Sequence, residues 1–414
     1  MDTNFEIQAY NEGRDPERLR MKYQAMRAGP FAFLRGTCHL FYARLPRQGV
    51  FKSSPLVWSC GDLHLENFGS YKGDNRLAYF DINDFDEAAL APAGCDLARL
   101  LTSVKLAADG QAIRVEDADH LCATLVDAYA GALAAGKAYW VERETATGLV
   151  RTLLDDLRAR QRPAFLDART QVRGKRRALR IDGAKALAAT PTQRAQVVAF
   201  LSEFARSQPD PAFYSVIDVA RRVAGTGSLG VDRYSILVRG KGSPNGNYLL
   251  DLKQALPSSL ARWAKAEQPR WATEAERVVS IQRRMQAVSV AFLHSVSLGE
   301  EPCVLRALQP SEDRVSLRAA RQSRADLERL ARTLGRLVAW AQLRTSGRAG
   351  STTADELVDF GEHSKWRVKL LNASQECAAQ VRADATAFDA AYDAGAFAEP
   401  SQTSRKRPPA SHSS

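Results

Sequence analysis

Asp62, Asn67 and Asp84 are the residues around which a reaction can most readily be written. They lie in two acidic clusters, Gly61-Asp62-Leu63-His64-Leu65-Glu66-Asn67 and Asp81-Ile82-Asn83-Asp84-Phe85-Asp86-Glu87, separated by a polar turn. Such a pair is hard to justify as packing and reads as a metal-nucleotide site. Phosphoryl transfer from ATP needs a carboxylate to orient the acceptor hydroxyl, an amide and a carboxylate to hold Mg2+, and cover and charge for the phosphates. The ordinary alternative makes Asp62, Asn67 and Asp84 turn formers and helix caps, as most loop Asp and Asn are. It leaves their order unexplained.

Cover and charge have candidates far downstream. Gly225-Thr226-Gly227-Ser228-Leu229-Gly230 joins two strand-like runs instead of opening a helix, which argues against a dinucleotide-binding turn and for a hairpin over phosphates. Gly225, Gly227, Ser228 and Gly230 are its candidate contacts. Lys253 ends the run Leu249-Leu250-Asp251-Leu252-Lys253, where it would meet the phosphates, and Glu276 or Glu274 at the start of the next helix would pair with it. The plain alternatives are an ordinary hairpin, an exposed strand end and simple helix capping.

The elements that must position these residues follow from periodicity and punctuation. Residues 14–48 read as helix broken at Gly29-Pro30, then loop from Pro46 to Pro55. Leu56 to Ser59 is a short buried strand, and Leu77 to Ile82 is the return strand of a hairpin turned at Lys72-Gly73-Asp74-Asn75. Asp96 caps a helix through Leu106, and a second helix runs from about Val115 to Ala135. Residues 137–190 are helix fragments and connection, and Pro191 opens a helix through Phe204. Strands are expected at Phe213 to Ala224, Tyr234 to Val238, Tyr248 to Leu252 and Cys303 to Leu308. Thr273 and Glu276 form a capping box for a helix between the last two. Ser323 caps a long helix with Leu327, Leu330, Leu334, Leu337 and Trp340 on one face, and helices continue to about Phe397.

With 414 residues and 45% hydrophobic content, the chain can bury a large core and favours two lobes. No window approaches the apolar length of a membrane span and the first residues carry no leader pattern, so a cytoplasmic protein without membrane partners is expected. Six scattered cysteines without a C-x-x-C pair signal neither zinc nor a disulfide framework. The net charge of +11 concentrates at Arg158 to Arg162, Arg173 to Arg177 and Arg405 to Arg407. No nucleic-acid-binding module accompanies it, which disfavours a nucleic-acid partner.

Gly61 to Asn67 is similar to the Gly-Asp-x-His-x-x-Asn loop of the aminoglycoside and choline phosphotransferase branch of protein-kinase-like enzymes, and Asp84 followed by Asp96-Leu97-Ala98 resembles that branch's second motif. More closely, Pro30 to Gly36, Gly61 to Gly69, Phe80 to Glu87 and Arg277 to Gln286 resemble the bacterial family catalogued as domain of unknown function 2252, over most of the chain to about Arg344. The kinase resemblance implies that Asp62 is the catalytic carboxylate, Asn67 and Asp84 are the Mg2+ ligands, and Asp96 braces the loop. Asp81 competes with Asp84: it fits the usual distance from Asn67, whereas Asp84, the preferred ligand, fits the distance to Asp96. His64 is read as a structural hydrogen-bonding group, and Glu66 and Glu87 as supporting or solvated. Cys60 stands where those phosphotransferases usually have His, and Val231 follows the last glycine one residue early.

The expectation is thus an α+β, two-lobed protein-kinase-like fold with its halves in circularly permuted order, because the glycine turn and lysine follow the catalytic loop. Residues 1–210 would supply the catalytic-loop part of the helical lobe, 211–309 the nucleotide-binding small lobe, 310–397 the remaining helices and 398–414 a disordered tail. The expected activity is ATP- and Mg2+-dependent phosphorylation of a hydroxyl on an unidentified substrate, a small molecule before a protein. AMP transfer, a non-catalytic nucleotide-binding regulator and a basic nucleic-acid-binding protein are the alternatives.

Overall fold

The computed structural model describes residues 2–110, 113–174, 176–316 and 323–398. The expected tail and the basic run at Arg405 to Arg407 lie outside these residues, as does Lys175 within the second basic run. The fold is mixed α+β with a large helical part.

The chain opens with α1 (Thr3–Tyr10), α2 (Pro16–Met26), α3 (Pro30–Gly36), α4 (Cys38–Arg44) and the single turn α5 (Val50–Ser53), which occupies part of the expected loop. Asp15 caps α2 by accepting from the Arg18 amide 2.9 Å away, and Pro16 fills the first helical position. β1 (Leu56–Ser59) follows, then the hairpin β2 (Phe68–Lys72) and β3 (Ala78–Ile82), and β4 (Ala89–Pro92), which returns antiparallel beside β1. The β1 and hairpin expectations hold, while β4, Ala-Leu-Ala-Pro, lacks the β-branched and aromatic residues that would mark it in sequence.

Helices α6 (Gly94–Asp109) and α7 (Val115–Ala134) form the centre of the helical part. α6 is buried on nearly every side, its Asp96, Arg99 and Lys105 included, so its charged groups must be satisfied inside the protein. The stretch expected as fragments contains α8 (Gly148–Ala159), α9 (Arg162–Asp167), the small hairpin β5 (Thr170–Arg173) and β6 (Arg176–Leu179), and β7 (Ala186–Ala188). A full capping box between Thr190 and Gln193 then starts α10 (Pro191–Arg206).

β8 (Val216–Arg222), β9 (Arg233–Val238) and β10 (Tyr248–Gln254) come next. α11 (Ser259–Trp263), α12 (Glu274–Met285), β11 (His294–Leu298) and β12 (Glu301–Ala307) complete the region. Six strands form one antiparallel sheet in the order β11-β12-β10-β9-β8-β7. Strand alternation gives the sheet two unlike faces. Tyr234, Ile236, Val238, Leu250, Leu252, Cys303 and Leu305 pack with Val197, Leu201 and Ala205 of α10 in one apolar cluster. Arg222, Arg233, Asp251, Lys253 and Arg306 are buried charged residues of the alternating positions. α12, by contrast, contributes Val278, Val279, Ile281 and Met285 to the main core of the helical part.

The chain ends in α13 (Arg324–Thr345), α14 (Ala354–Glu362) and α15 (Lys365–Asp393). Ser323 caps α13 as expected, accepting from the Asp326 amide at 3.1 Å. All six cysteines are unpaired, and all but Cys377 are buried. Among the described residues, no helix is long and apolar enough to cross a membrane.

Candidate functional site

β1 delivers the chain into the loop that carries Asp62, and α6 fixes that loop from behind. Asp96 lies within the first turn of α6, not at its cap. Its Oδ2 accepts from the Cys60 amide at 2.8 Å and its Oδ1 from the Gly61 amide at 2.9 Å. This is the bracing role that the resemblance implied. Gly61 has φ +85°, and a Cβ there would fall 2.0 Å from the Glu87 carbonyl oxygen, so only glycine passes this point. One turn after Asp96, the fully buried Arg99 ion-pairs with Asp62, its Nε donating to Oδ1 at 2.7 Å and its Nη2 donating to the Leu34 carbonyl at 2.8 Å. Burial, opposed by the Arg99 charge and reinforced by Asp84, holds the Asp62 carboxyl above its ordinary value.

The rest of the loop is held by its own backbone. Asn67 donates from its side-chain nitrogen to the Asp62 carbonyl and from its amide to the His64 carbonyl, 2.9 Å away. The His64 Nδ1 accepts from the Glu66 amide at 3.2 Å. Burial, with Arg35, Arg99 and Arg314 nearby, keeps that imidazole far below its usual pKa and therefore neutral, a structural group as expected. Glu66 pairs with Arg35 at 2.6 Å.

Past the hairpin, Asp84 and Asp86 face the charged side of the large sheet. Asp86 ion-pairs with Lys253 on β10. The Asp84 carboxylate makes no hydrogen bond or ion pair among the described residues. Burial alone would raise its pKa, but Lys253, Arg306, Arg314 and Arg233 outweigh burial and hold it ionised. Behind these groups Asp251 is shared by Arg233 at 2.6 Å, Arg222 at 2.9 Å and Arg306 at 3.6 Å.

The glycine turn between β8 and β9 closes over the loop. A Cβ at Gly227 would stand 3.0 Å from the Arg35 carbonyl oxygen and 3.9 Å from Asp62 Oδ2. The turn's own carbonyls are tied to the N-terminal helices. Arg14 donates to Gly227 at 2.9 Å, Lys22 to Gly227 at 3.2 Å, and Arg18 to Val231 at 2.9 Å.

These segments line one open cleft. Asp62, Asn67, Asp84, Gly225, Gly227, Ser228 and Lys253 all line it, although the two groups are far apart in the chain. Asp81, Glu274, Glu276 and Gly230, also expected there, do not. Asp81 turns away from the cleft, accepting from the Ala287 amide at 3.2 Å and pairing with Arg344 at 3.4 Å, so Asp84 is the carboxylate available there. Glu276 accepts from the Ala272 amide at 2.8 Å, closing the first turn of α12 on itself, and Glu274 pairs with Arg277 at 2.6 Å. Neither reaches Lys253, because Asp86 already neutralises that ammonium from the opposite wall. Gly230 lies behind the turn against Arg14.

Sequence reasoning missed Arg99, Asp86, Tyr10 and Arg314 as parts of the site, and left Glu87 open between a supporting and a solvated role. Arg99 was reachable, since i+3 spacing from Asp96 places both on one face of a helix. Glu87 accepts from the Ser259 hydroxyl at 3.2 Å and the Tyr10 hydroxyl at 3.3 Å, contacts with no local signature.

Among the described residues, no group of three or more His, Cys, Asp or Glu side chains is arranged to hold a metal. Mg2+ needs fewer protein ligands, because it keeps waters and shares phosphate oxygens. With its nitrogen committed to Asp62, Asn67 has its amide oxygen to offer in the cleft that the Asp84 carboxylate also lines. That donor pair fits Mg2+ arriving with a nucleotide rather than a preformed cage.

The chain belongs to the bacterial family described as "Uncharacterized protein conserved in bacteria (DUF2252)", whose sequence profile matches residues 14–391. No curated protein and no solved structure matches it.

Proposed function

We propose that the protein is an ATP- and Mg2+-dependent phosphotransferase acting on a hydroxyl of a small molecule. Its fold is a protein-kinase-like one in which the nucleotide-covering sheet follows the catalytic loop in the chain, a circular permutation. The observation that carries this reading is the convergence of Asp62, Asn67 and Asp84 with Gly225, Gly227 and Lys253 on one cleft. Two chain segments separated by more than the whole of α6 to α10 meet with the residue types that phosphoryl transfer requires.

In this reading the strand lysine and the glycine turn receive the phosphates, and Lys253 is held in place by Asp86 on the facing wall. Asn67 and Asp84 would hold Mg2+, which supplies charge neutralisation between the phosphates. The acceptor hydroxyl lies beside Asp62 Oδ2, since Arg99 occupies Oδ1. The hydroxyl oxygen forms a bond to the terminal phosphorus as the bond to the bridging oxygen breaks. The proton passes to Asp62, and ADP leaves with the electron pair. The raised Asp62 pKa favours that proton transfer.

The test is ATP consumption across a library of hydroxyl-bearing metabolites, with mass spectrometry of the product to separate phosphate from AMP transfer. Asp62→Asn keeps an acceptor for Arg99 but cannot take the proton, so turnover should fall by about 10²–10⁴-fold with ATP affinity nearly unchanged. Undiminished phosphotransfer by this variant would end the assignment.

A further inference from the structure

Arg314 is the cleft's one lining residue of its kind: a guanidinium that makes no hydrogen bond or ion pair among the described residues. It lines the same cleft as Asp62, Asp84 and Lys253. The other cations there are engaged. Arg14 binds the glycine turn, Arg35 binds Glu66 and Lys253 binds Asp86. Burial, offset in part by Asp84 and aggravated by Arg35, Arg233 and Arg306, lowers the Arg314 pKa to about 10. A half-buried guanidinium among like charges, with no ion pair of its own among the described residues, is a ready partner for an anion that enters the cleft.

Its placement is built, not incidental. Arg314 bridges to Gly69, and the Val315 amide donates to the Phe68 carbonyl at 2.8 Å, so the segment is laid against the hairpin strand that leaves Asn67. A Cβ on Gly69 would fall 2.4 Å from the Asp313 carbonyl oxygen. On the other side, Arg160 and Arg169 take up the carboxylates of Asp313 and Glu312. The two preceding acidic residues are thereby neutralised by other arginines, and the Arg314 guanidinium is left for a ligand within the cleft.

We propose that Arg314 holds the terminal phosphate of the bound nucleotide, as an arginine supplied by the chain itself to the phosphoryl group in transfer. The inference rests on the phosphotransferase reading above for the identity of the anion. Arginine suits the role because its planar donors match two phosphate oxygens and its charge opposes that developing in the transition state.

Calorimetric titration of ATP and ADP into wild type, Arg314→Gln and Arg314→Lys tests it. Arg314→Gln should lose about tenfold or more in ATP affinity, the worth of a charge-assisted hydrogen bond, with ADP affinity changed less than about twofold. Arg314→Lys should recover part of the loss. Thermal unfolding of Arg314→Gln should be no lower than wild type, since no protein contact is removed. Equal losses for ATP and ADP, or no loss, overturn the proposal. A wild type that binds neither nucleotide overturns the phosphotransferase reading instead, and inorganic tripolyphosphate then decides Arg314. Tripolyphosphate binding that drops in Arg314→Gln upholds its anion-holding role, and binding that is absent or indifferent to the variant overturns it.

Discussion

Lys253 shows how one side chain couples the cleft to pH. Burial lowers its pKa to about 8, with Asp84 and Asp62 opposing that shift and Arg306 and Arg314 adding to it. Below about pH 8 the ammonium is charged and available to phosphate; above it the charge is lost. ATP affinity should therefore fall as pH rises through 8, by up to about tenfold per unit, while Lys253→Arg stays level over the same window. Folding stability responds with the opposite sign. The folded state binds fewer protons than the unfolded chain between the lowered and the ordinary lysine pKa, so this group's contribution to stability rises with pH there. Titrations of ATP on both sides of pH 8, beside urea unfolding at the same pH values, check both directions. Affinity and stability declining together would mean general loosening instead.

At the scale of elements, the hairpin β2–β3 positions more than its own residues. Its first strand begins at the end of the Asp62–Asn67 loop and carries Gly69, on which the Arg314 segment rests. Gly69→Ala should push that segment away from the strand, costing roughly 1–3 kcal/mol of stability by overpacking. ATP affinity should fall in the manner of Arg314→Gln, measured by urea unfolding and calorimetry. An unaltered ATP affinity would detach Arg314 from the hairpin. The hairpin was legible in sequence because Gly73 to Asn75 is a turn signal between alternating runs, and the loop was legible because its spacing is local. The bracing of Asp62 by Arg99 needed only helical periodicity. The partner of Lys253 was misjudged for a different reason. Glu276 is adjacent along the chain through α12, whereas Asp86 is adjacent only in space, and ion pairing follows space. β4 and β7 are largely alanine and β11 is more than half serine and histidine, so they carry few of the β-branched and aromatic residues that mark a strand, and β5 and β6 lay in Arg-rich sequence whose alternation is masked by charge.

Across the whole molecule, the charged face of the sheet is held together by one carboxylate. Burial would raise the Asp251 pKa, but Arg222, Arg233 and Arg306 together drive it far below the ordinary range. Asp251→Ala leaves three buried guanidiniums facing one another and should destabilise the fold by about 3–5 kcal/mol. Denaturant unfolding reads this directly, and a midpoint equal to wild type would show the network to be dispensable. Asp251 was visible in sequence only as the polar member of an alternating strand. Its three arginine partners come from three other strands, so the network emerges only once the register is known.

The ties from Arg14, Arg18 and Lys22 to the glycine turn carry a mechanical consequence. In a cleft covered by a free turn, the cover can flap while everything beneath it stands still. Here the cover is riveted to α2, so it cannot lift without dragging the N-terminal helices along. Opening becomes the swing of a single stiff lever whose pivot is set by the helix it is tied to.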